Sequence, residues 1–311
     1  MKISLLGLSG SGKTSIYSTM FAEKLPSETK MLTPTIMYEV RRHPYLGVEV
    51  SLFDFGGQEQ YREEYLNKPQ VLLGSDVVIF VVDLHAPDMV ENAGQFFKRI
   101  LQIFKEHGET PIIQVFYHKY DTEDYLQELL DTNLQKVKEV LEEIFKGWNP
   151  TYQVTSIYEQ EMLTKILRDI LMLNYPLLKE HVENAEIHLA EIDSRIIISD
   201  VTGQVIVHNV PGVSKGLRLR GDLREFIASC NAMRETFFEQ DSAEFRGKGK
   251  ENEKEIELHL FKYVLAILLM QRGEWNPETV DRIKTLLADM RVFAELVLEA
   301  HINKDNAVNP P

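Results

Sequence analysis

A glycine-rich octapeptide near the start of the chain is the sequence feature that most constrains its fold. Residues 7–14 read Gly-Leu-Ser-Gly-Ser-Gly-Lys-Thr and fit the pattern G-x-x-x-x-G-K-[ST]. A short apolar strand is predicted over Lys2–Leu6, and a helix is predicted from Lys13 to about Glu23. A strand that turns through such a loop into a helix points backbone N–H groups and the helix dipole at a phosphate. The octapeptide therefore predicts a phosphate-binding loop.

Individual residues of this loop have separate expected roles. Lys13 is expected to reach the β- and γ-phosphates of a nucleotide, and the hydroxyl of Thr14 is expected to ligate Mg²⁺. The alternative is a Gly/Ser turn that binds nothing, which is disfavoured because the motif and its strand–helix context are both satisfied. The other residues expected to contact the nucleotide here are Ser9, Gly10, Ser11, Gly12 and Ser15.

A second motif, Asp54-Phe55-Gly56-Gly57-Gln58, follows the third predicted strand. A carboxylate at the end of a strand beside the phosphate loop can hold Mg²⁺, which is the role expected for Asp54. The backbone N–H of Gly57 can approach the γ-phosphate, and Gln58 can orient an attacking water, as the corresponding Gln does in small G proteins. We therefore expect Gln58, Lys13 and Gly57 to form the catalytic group.

The segment between Leu25 and Pro34 is expected to contain a switch. Thr35, ahead of the second predicted strand, is the preferred candidate for a hydroxyl that meets Mg²⁺ only when the γ-phosphate is present. Thr33 is the competing candidate, and either residue could merely begin a strand.

A third motif, His118-Lys119-Tyr120-Asp121, follows the apolar strand predicted over Ile112–Tyr117. Asp121 would accept two hydrogen bonds from guanine, and adenine lacks that pair of donors. Lys119 would lay its aliphatic stem along the face of the base, and His118 is expected to hydrogen-bond between the base loop and the phosphate loop. Ser156 and Ile157, after the next strand, fit a final loop that contacts the base.

The order of predicted elements divides the chain into two domains and a tail. Strands and helices alternate through residues 1–176, which is typical of a doubly wound α/β domain with a mainly parallel sheet. Val77–Asp83 is nearly unbroken apolar sequence, as expected of a strand buried on both faces. Pro176 disfavours continuation of the preceding helix, so a second, smaller α/β domain is predicted at 177–300. Residues 301–311 are expected to form a flexible tail.

The second domain has a different pattern. A helix, a tight hairpin at Val201-Thr202-Gly203 and a loop precede a helix predicted over Asp222–Glu239. Residues 244–254 are rich in Gly, Lys and Glu and are predicted to form a solvated loop. Residues 255–270 favour β-structure without a turn signal, so one long strand or two short strands are both open. A periodic helix is predicted over Pro277–Glu299. The apolar face predicted for the first of these two later helices comprises Leu223, Phe226, Ile227, Cys230, Met233 and Phe237.

Composition excludes several classes of function. The chain of 311 residues carries 34 basic and 48 acidic residues, a net charge of −14 without a basic stripe, and is therefore a poor candidate for binding nucleic acid. No apolar run reaches the length that spans a bilayer. The single cysteine, Cys230, excludes an intramolecular disulfide and a cysteine-based metal site, and it fits a reducing compartment such as the cytoplasm.

In this order and spacing the motifs resemble those of a small GTPase, and within that class the chain is similar to the Rag/Gtr GTPases. The resemblance rests on Gly-Ser-Gly-Lys-Thr-Ser at residues 10–15, the double glycine before Gln58, His118 in the base motif and Thr155-Ser156-Ile157. It departs from the family pattern at Phe53, where Trp is common. The resemblance implies a Ras-like G domain followed by a roadblock- or longin-like domain.

The resemblance also implies a signalling switch that binds GTP and GDP with Mg²⁺ and hydrolyses GTP slowly. Implied partners are a second Rag-like subunit or a second copy of the chain, paired through the C-terminal domain, together with roadblock-type scaffold proteins, GTPase-activating proteins and exchange factors. Any membrane contact is expected to be indirect, through partners, because no lipidation motif is visible.

GTP is expected to hold two loops, Leu25–Pro34 and Gln58–Gln70. In the second loop Arg62 is expected to make a surface ion pair rather than to act as an arginine finger. Two other functions stay open. A scaffold that holds nucleotide without useful hydrolysis is disfavoured by Gln58, and an ATPase or kinase is disfavoured by Asp121.

Overall fold

Two structural units make up the chain. The first comprises Met1–His43 and Glu49–Ile166, and the second comprises Pro44–Val48 and Leu167–Pro311. The predicted domain boundary at Pro176 therefore lies after the last residue of the first unit. The computed structural model describes residues 1–21, 24–45, 48–122, 126–173, 176–192, 195–210, 212, 214–215, 217–237, 244–251, 254–261, 265–271 and 276–308.

One sheet of six strands organises the first unit. Its strands are β1 (Lys2–Leu6), β2 (Tyr38–Tyr45), β3 (Val48–Phe55), β4 (Val77–Asp83), β5 (Ile112–His118) and β6 (Thr151–Thr155). Their order is β2-β3-β1-β4-β5-β6. β1 pairs in parallel with β3 and β4, and β4, β5 and β6 continue the parallel pairing. The predicted doubly wound, mainly parallel sheet is confirmed.

Helices connect these strands. The described residues of the unit form α1 (Lys13–Met20), α2 (Glu59–Asn67), α3 (Val90–Glu106), α4 (Gln127–Ile144) and α5 (Gln160–Leu171), with short 3₁₀ helices at Pro26–Met31, Pro69–Val71 and Pro87–Met89. α1 ends before the predicted limit near Glu23, and residues 22–23 lie outside the described residues. α5 begins in the first unit and ends in the second.

The core of this unit forms where α3 and the end of α4 pack on β4. The ring of Phe80 in β4 lies 4.5 Å from that of Phe97 and 5.1 Å from that of Phe145. All three side chains are fully buried, as are the residues on both faces of β4. Burial of this aromatic cluster removes a large apolar surface from water and fixes β4 in the middle of the sheet.

The ends of five strands meet at one edge of this sheet. Parallel pairing places Leu5 opposite Asp54, and His118 opposite both Asp83 and Thr155. The loops after β1, β3, β4, β5 and β6 therefore leave from the same edge. β1 lies between β3 and β4, where the order of the strands reverses. Open α/β sheets bind ligands in the crevice at this point.

Both segments that were expected to be switch loops contain helical structure. Glu59–Asn67 forms α2, which holds no Gly or Pro and ends before Pro69, so local propensity supports the helix. Leu25–Pro34 contains the 3₁₀ helix Pro26–Met31. The expectation of irregular loops was therefore wrong for most of these residues.

A second sheet organises the second unit. The described strands of this unit are β7 (Arg195–Asp200), β8 (Val205–His208), β9 (Ser214–Lys215), β10 (Arg218–Leu219), β11 (Glu244–Glu251), β12 (Lys254–Phe261) and β13 (Leu265–Gln271), and five of them form the sheet. The antiparallel order is β11-β12-β13-β7-β8, and β9 pairs separately with β10. Between β7 and β8, Gly203 has φ +84° and the Asp200 carboxylate accepts the N–H groups of Thr202 and Gln204. This is the predicted hairpin.

Three helices accompany this sheet: α6 (Pro176–Glu191), α7 (Gly221–Phe237) and α8 (Pro277–Val308). Leu223, Ile227 and Cys230 of α7 pack in one core with Ile197 and Leu268 of the sheet. Cys230 is therefore a core residue, as expected. Met233 was predicted on the same face but is 51% exposed, and the side chain of Phe237 lies outside the described residues.

Three further predictions for this unit are resolved by β-pairing and helix length. Residues 244–251 form β11 rather than a solvated loop, because pairing along β12 satisfies their backbone and overrides the low β-propensity of Gly, Lys and Glu. Residues 254–271 hold two strands. α8 continues through Val308 into the segment expected to be a tail, since no Gly or Pro interrupts it after Pro277. In the described part of the chain, no helix combines the length and the apolar content that crossing a bilayer requires.

Candidate functional site

A cleft of about 380 Å³ lies at the carboxyl edge of the first sheet. The phosphate loop and the start of α1 form one side, the segment before β2 forms another, and Lys119 lies at one end. The residues that line it are Ser9, Gly10, Gly12, Lys13, Thr14, Ser15, Thr29, Lys30, Leu32, Thr33, Pro34, Thr35, Phe55, Gly57, Gln58 and Lys119. Most residues predicted to bind phosphate or Mg²⁺ therefore share one cleft.

The ammonium group of Lys13 lies inside the phosphate loop. Its Nζ donates to the carbonyl oxygens of Gly7 (3.0 Å) and Leu8 (2.8 Å) and lies 3.3 Å from the hydroxyl of Ser11. Burial lowers the pKa of Lys13 to about 8, against the opposing effect of the Asp54 charge. A phosphate would supply the negative charge that this buried cation lacks.

Three side chains predicted to ligate a metal meet at one point. The hydroxyl of Thr14 donates to Oδ2 of Asp54 at 2.7 Å, and that of Thr35 does so at 3.0 Å. The two hydroxyl oxygens are themselves 3.0 Å apart. Thr35 is buried, whereas Thr33 is exposed. The second strand begins at Tyr38, so Thr35 lies outside the β-ladder. The burial of Thr35 and its hydrogen bond to Asp54 favour it over Thr33 as the switch threonine.

The second oxygen of the Asp54 carboxylate tests whether a cation fits this cluster. Oδ1 is buried and makes no hydrogen bond within the described residues. Burial also raises the pKa of Asp54, while the hydrogen bonds from Thr14 and Thr35 and the charge of Lys13 oppose that shift. An orphaned carboxylate oxygen beside two hydroxyls is a hard oxygen donor set of the kind that Mg²⁺ prefers. Thr14, Thr35 and Asp54 therefore fit the ion.

Close backbone packing joins the second motif to the phosphate loop. A Cβ atom on Gly57 would lie 2.4 Å from the backbone of Leu8 and Ser9, so no larger residue fits without a shift. The neighbouring N–H of Gly56 donates to the carbonyl oxygen of Met37 at 2.8 Å. The double glycine thus contacts the phosphate loop on one side and the segment after Thr35 on the other.

Gln58 lines the cleft at the N-terminus of α2. Its Oε1 accepts a hydrogen bond from the amide of Gln60 at 3.3 Å. Arg62, one helical turn later, does not make the expected surface ion pair with any residue that the structure describes. Its guanidinium lies 5.2 Å from the ring centre of Phe96, and its buried Nε has no hydrogen-bond partner in the described part of the chain. The adjacent Glu63 makes an ion pair with Arg99 of α3.

The carboxylate expected to select the base is held by the loop after β6. Ser156 donates its hydroxyl to Oδ1 of Asp121 at 2.6 Å, and the N–H of Tyr158 donates to the same hydroxyl oxygen. Asp121 and Ser156 are buried, and Ile157 lies half-buried in the same loop. The structure thus brings together the two loops that were predicted to contact a base.

His118 links three parts of the site. Its Nδ1 lies 2.9 Å from the hydroxyl of Thr155, and burial lowers its pKa to about 3, so the ring is neutral. Its other edge packs against Gly12, where φ is +96° and a Cβ atom would lie 2.5 Å from Cδ2 of the ring. The expected bridge to the phosphate loop is therefore a packing contact, and the hydrogen bond is made within the base loops.

Sequence reasoning did not single out several residues of the site. Thr155 was named only as the first residue of the Thr155-Ser156-Ile157 tripeptide, without a role of its own, yet it is the hydrogen-bond partner of His118. Thr29 and Lys30 line the cleft from the 3₁₀ helix, and no local motif marks them. Their position depends on the path of the chain between α1 and β2, which the sequence pattern did not define.

Comparison with known proteins gives consistent matches. A family model described as the Gtr1/RagA G protein conserved region matches residues 2–211. GTP-binding protein gtr1 of Schizosaccharomyces pombe is 27% identical over 249 residues, which is 76% of this chain and 79% of that protein. Ras-related GTP-binding protein A of Dictyostelium discoideum is 26% identical over 247 residues, 76% and 80% of the two chains. GTP-binding protein GTR1 of Saccharomyces cerevisiae is 30% identical over 188 residues, 59% and 60% of the two chains.

The lowered pKa of Lys13 predicts that nucleotide binding takes up protons at alkaline pH. Near pH 8 about half of the free protein carries a neutral Lys13, and phosphate oxygens would restore the charged form. We expect an uptake of about half a proton per GDP at pH 8, rising towards about one at pH 9 and falling at pH 7. Isothermal titration calorimetry in buffers of different ionisation enthalpy measures this uptake. Lys68→Met, at an exposed lysine after α2, is the control and should not alter it; an uptake that is constant from pH 7 to 9 would contradict the assignment.

Proposed function

Because the chain belongs to the Gtr1/RagA family of GTP-binding proteins, we propose that it is a molecular switch that hydrolyses GTP slowly and docks partners according to the bound nucleotide. GTP and GDP binding follows from the family. What we propose in addition is how the bound nucleotide changes the protein. The observation that carries it is the meeting of Thr14, Thr35 and Asp54, since each comes from a different segment around the phosphate end of the cleft.

This meeting point gives the γ-phosphate a physical means of control. Thr35 is held to the rest of the site by the hydrogen bond that its hydroxyl donates to Asp54, beside the hydroxyl of Thr14, while the residues before it, such as Thr33, are exposed. Mg²⁺ bound by these three residues would supply positive charge to the phosphates. Contacts of Thr35 and Gly57 with the γ-phosphate end would order both segments, and loss of that phosphate would release them.

Hydrolysis in this proposal uses Gln58, Lys13 and Gly57. Gln58 lines the cleft and would orient the attacking water, Lys13 would neutralise charge on the phosphates, and the Gly57 N–H would face the γ-phosphate. Among the described residues that line the cleft, the basic side chains are Lys13, Lys30 and Lys119, and none is an arginine. We therefore expect a slow intrinsic rate, and a partner such as a GTPase-activating protein would supply the missing charge.

The base end of the site favours guanine. Asp121 is buried, and Ser156 fixes one of its carboxylate oxygens, so the group is preorganised to accept two N–H donors. Adenine lacks that pair of donors, so it would exclude water from this buried carboxylate without giving it hydrogen bonds in return, which is costly. An ATPase or kinase is therefore the weaker candidate.

Pairing through the C-terminal unit is the second part of the proposal. The five-stranded sheet of that unit has β8 and β11 as its outer strands, and outer strands present backbone groups that a second sheet can pair with. A second copy of the chain or a related subunit would fit. Roadblock-type scaffold proteins and exchange factors would dock on the pair, in the cytoplasm or at a membrane reached through those partners.

Replacing the base-selecting carboxylate tests the specificity. Asp121→Asn should weaken the binding of GTP by on the order of a hundredfold, which is the scale of a lost charged hydrogen bond. It should favour the binding of xanthosine triphosphate, because the new amide can donate a hydrogen bond to the extra keto oxygen of that base. Competition binding against a fluorescent GTP analogue measures both affinities. Asp88→Asn, at a mostly exposed carboxylate, is the matched control and should leave both affinities unchanged. Unchanged GTP affinity in Asp121→Asn would remove Asp121 from the base site.

Removing the water-orienting amide tests the hydrolysis. Gln58→Leu should slow single-turnover GTP hydrolysis by roughly a hundredfold, the scale of misplacing a reacting group by about 1 Å, while GTP stays bound. Chromatography of the nucleotide retained on the protein measures both quantities. Gln102→Leu, on the exposed face of α3, makes the same change away from the cleft and should hydrolyse GTP normally. A rate that survives in Gln58→Leu would mean that another group positions the water.

Light scattering tests the pairing in both nucleotide states. The chain mass is 35.9 kDa, and pairing of two copies through the C-terminal unit should give about twice that mass with GDP and with a non-hydrolysable GTP analogue alike. A single-chain mass in both states would direct the proposal to a related second subunit. A mass that doubles in one nucleotide state alone would contradict it, because the interface would then lie at the switch segments.

A further inference from the structure

The last residue of β4, Asp83, is a carboxylate that none of the nucleotide-binding motifs includes. Its Oδ2 accepts a hydrogen bond from Nζ of Lys119 at 2.6 Å, and its Oδ1 accepts the backbone N–H of His85 at 2.8 Å. The ion pair is largely shielded, with 19% of the Asp83 and 28% of the Lys119 side chain exposed. One carboxylate thus ties the loop after β4 to the loop after β5.

The sheet fixes this carboxylate where it can hold the lysine. Asp83 pairs with His118 in the parallel register of β4 and β5, and the next residue, Leu84, donates its N–H to the carbonyl oxygen of His118 at 3.0 Å. The backbone of Asp83 is therefore set beside the start of the base loop before any ligand binds.

Lys119 needs such an anchor. It has a left-handed backbone with φ +65°, which is uncommon for a residue with a side chain, and it lies at the end of the nucleotide cleft. A lysine has a long, flexible stem whose ordering costs conformational entropy. With its ammonium held by Asp83, the stem is ordered by the protein itself, which lowers the entropic cost of placing it against the base.

The other oxygen of Asp83 orders the opposite side of the base loop. By accepting the N–H of His85 it fixes the chain at that residue, whose Nε2 lies 3.8 Å from Oδ2 of Asp121. The same carboxylate therefore holds the lysine expected to cover the base and the backbone of the residue whose ring lies beside the carboxylate expected to select it.

We propose that Asp83 is a positioning residue of the guanine site, which acts through Lys119 to lengthen the residence time of bound guanine nucleotide. This inference rests on the proposed roles of Lys119 and Asp121. The ion pair of Asp83 with Lys119 differs from that of Asp88 with Lys136, which has the same 2.6 Å distance but a carboxylate that is 90% exposed. Exposed pairs of that kind contribute little.

The first experiment measures dissociation of a fluorescent GDP analogue from the full chain in excess GDP. Asp83→Asn keeps the size and the oxygen that accepts the His85 N–H, but it removes the charge that holds Lys119. We expect dissociation to be about tenfold faster, the lower end of the effect of a charged hydrogen bond. Asp88→Asn, which removes the same charge from the exposed pair, should change the rate by less than about twofold.

A double-mutant cycle then tests whether Asp83 acts through Lys119. In a Lys119→Met background, Asp83→Asn should add less than about twofold, since the group it holds is gone. An equal effect in both backgrounds would overturn the proposal, because it would show a role in stability that is independent of Lys119. If Asp83→Asn does not fold by circular dichroism, Asp83→Ser keeps an acceptor for the His85 N–H and is expected to give the same pattern.

The outcomes for this inference and for the proposed function are distinct. A wild-type chain that does not retain GDP would contradict the proposed function itself. A wild-type chain that retains GDP, with the same dissociation rate in Asp83→Asn and Asp88→Asn, would overturn the role of Asp83 alone.

Discussion

The buried carboxylate of Asp54 is the group on which the phosphate end of the molecule depends. One of its oxygens accepts hydrogen bonds from hydroxyls of two other segments, and its second oxygen has no hydrogen-bond partner among the described residues. A buried charge in this state is costly, and burial raises its pKa accordingly. The arrangement is thus stable only with positive charge nearby, which Lys13 supplies in part and a divalent cation would complete. The segment that ends at Thr35 is tied to the phosphate loop through this carboxylate.

Steric closeness carries the same coupling through the backbone. Gly57 packs so closely on the backbone of the phosphate loop that no Cβ atom would fit between them. The ring of His118 packs equally closely on the same loop at Gly12. If the phosphate loop shifts on phosphate binding, it must therefore either displace Gly57 and His118 or be held in place by them. Packed interfaces of this kind change between discrete arrangements rather than deforming continuously. Glycine is required at residue 57 because of space, and at residue 12 because of both space and a φ of +96°.

More of the arrangement of the site than of the fold of the second unit could be predicted from the sequence. The phosphate loop, Asp54, Gly57 and the base motif are local patterns at the ends of apolar strands, and parallel pairing alone brings strand ends together. Residues 244–251 read as a loop because their composition is polar, yet they pair along β12, a long-range contact that composition does not report. Arg62 and Met233 were misjudged for a related reason, since the partners of a helical side chain depend on which neighbouring helix or sheet packs against it. The role of Thr155 likewise required the β5–β6 register to be known.

The two ends of the cleft are held by different forces, and this difference has a functional consequence. At the base end, Lys119 and Asp121 are each fixed by a partner within the protein, Asp83 and Ser156, at 2.6 Å in both cases. Those contacts are made by the protein's own side chains, so the fold itself positions the base end. At the phosphate end the cation Lys13 is held by carbonyl oxygens of its own loop, and the carboxylate of Asp54 is only partly satisfied. A group whose partners are incomplete gains most from a ligand, so the free energy of phosphate and cation binding is concentrated where the switch segments meet. Under the proposed function, the guanine base would therefore hold the nucleotide in place while the terminal phosphate would decide the state of Thr35 and Gly57.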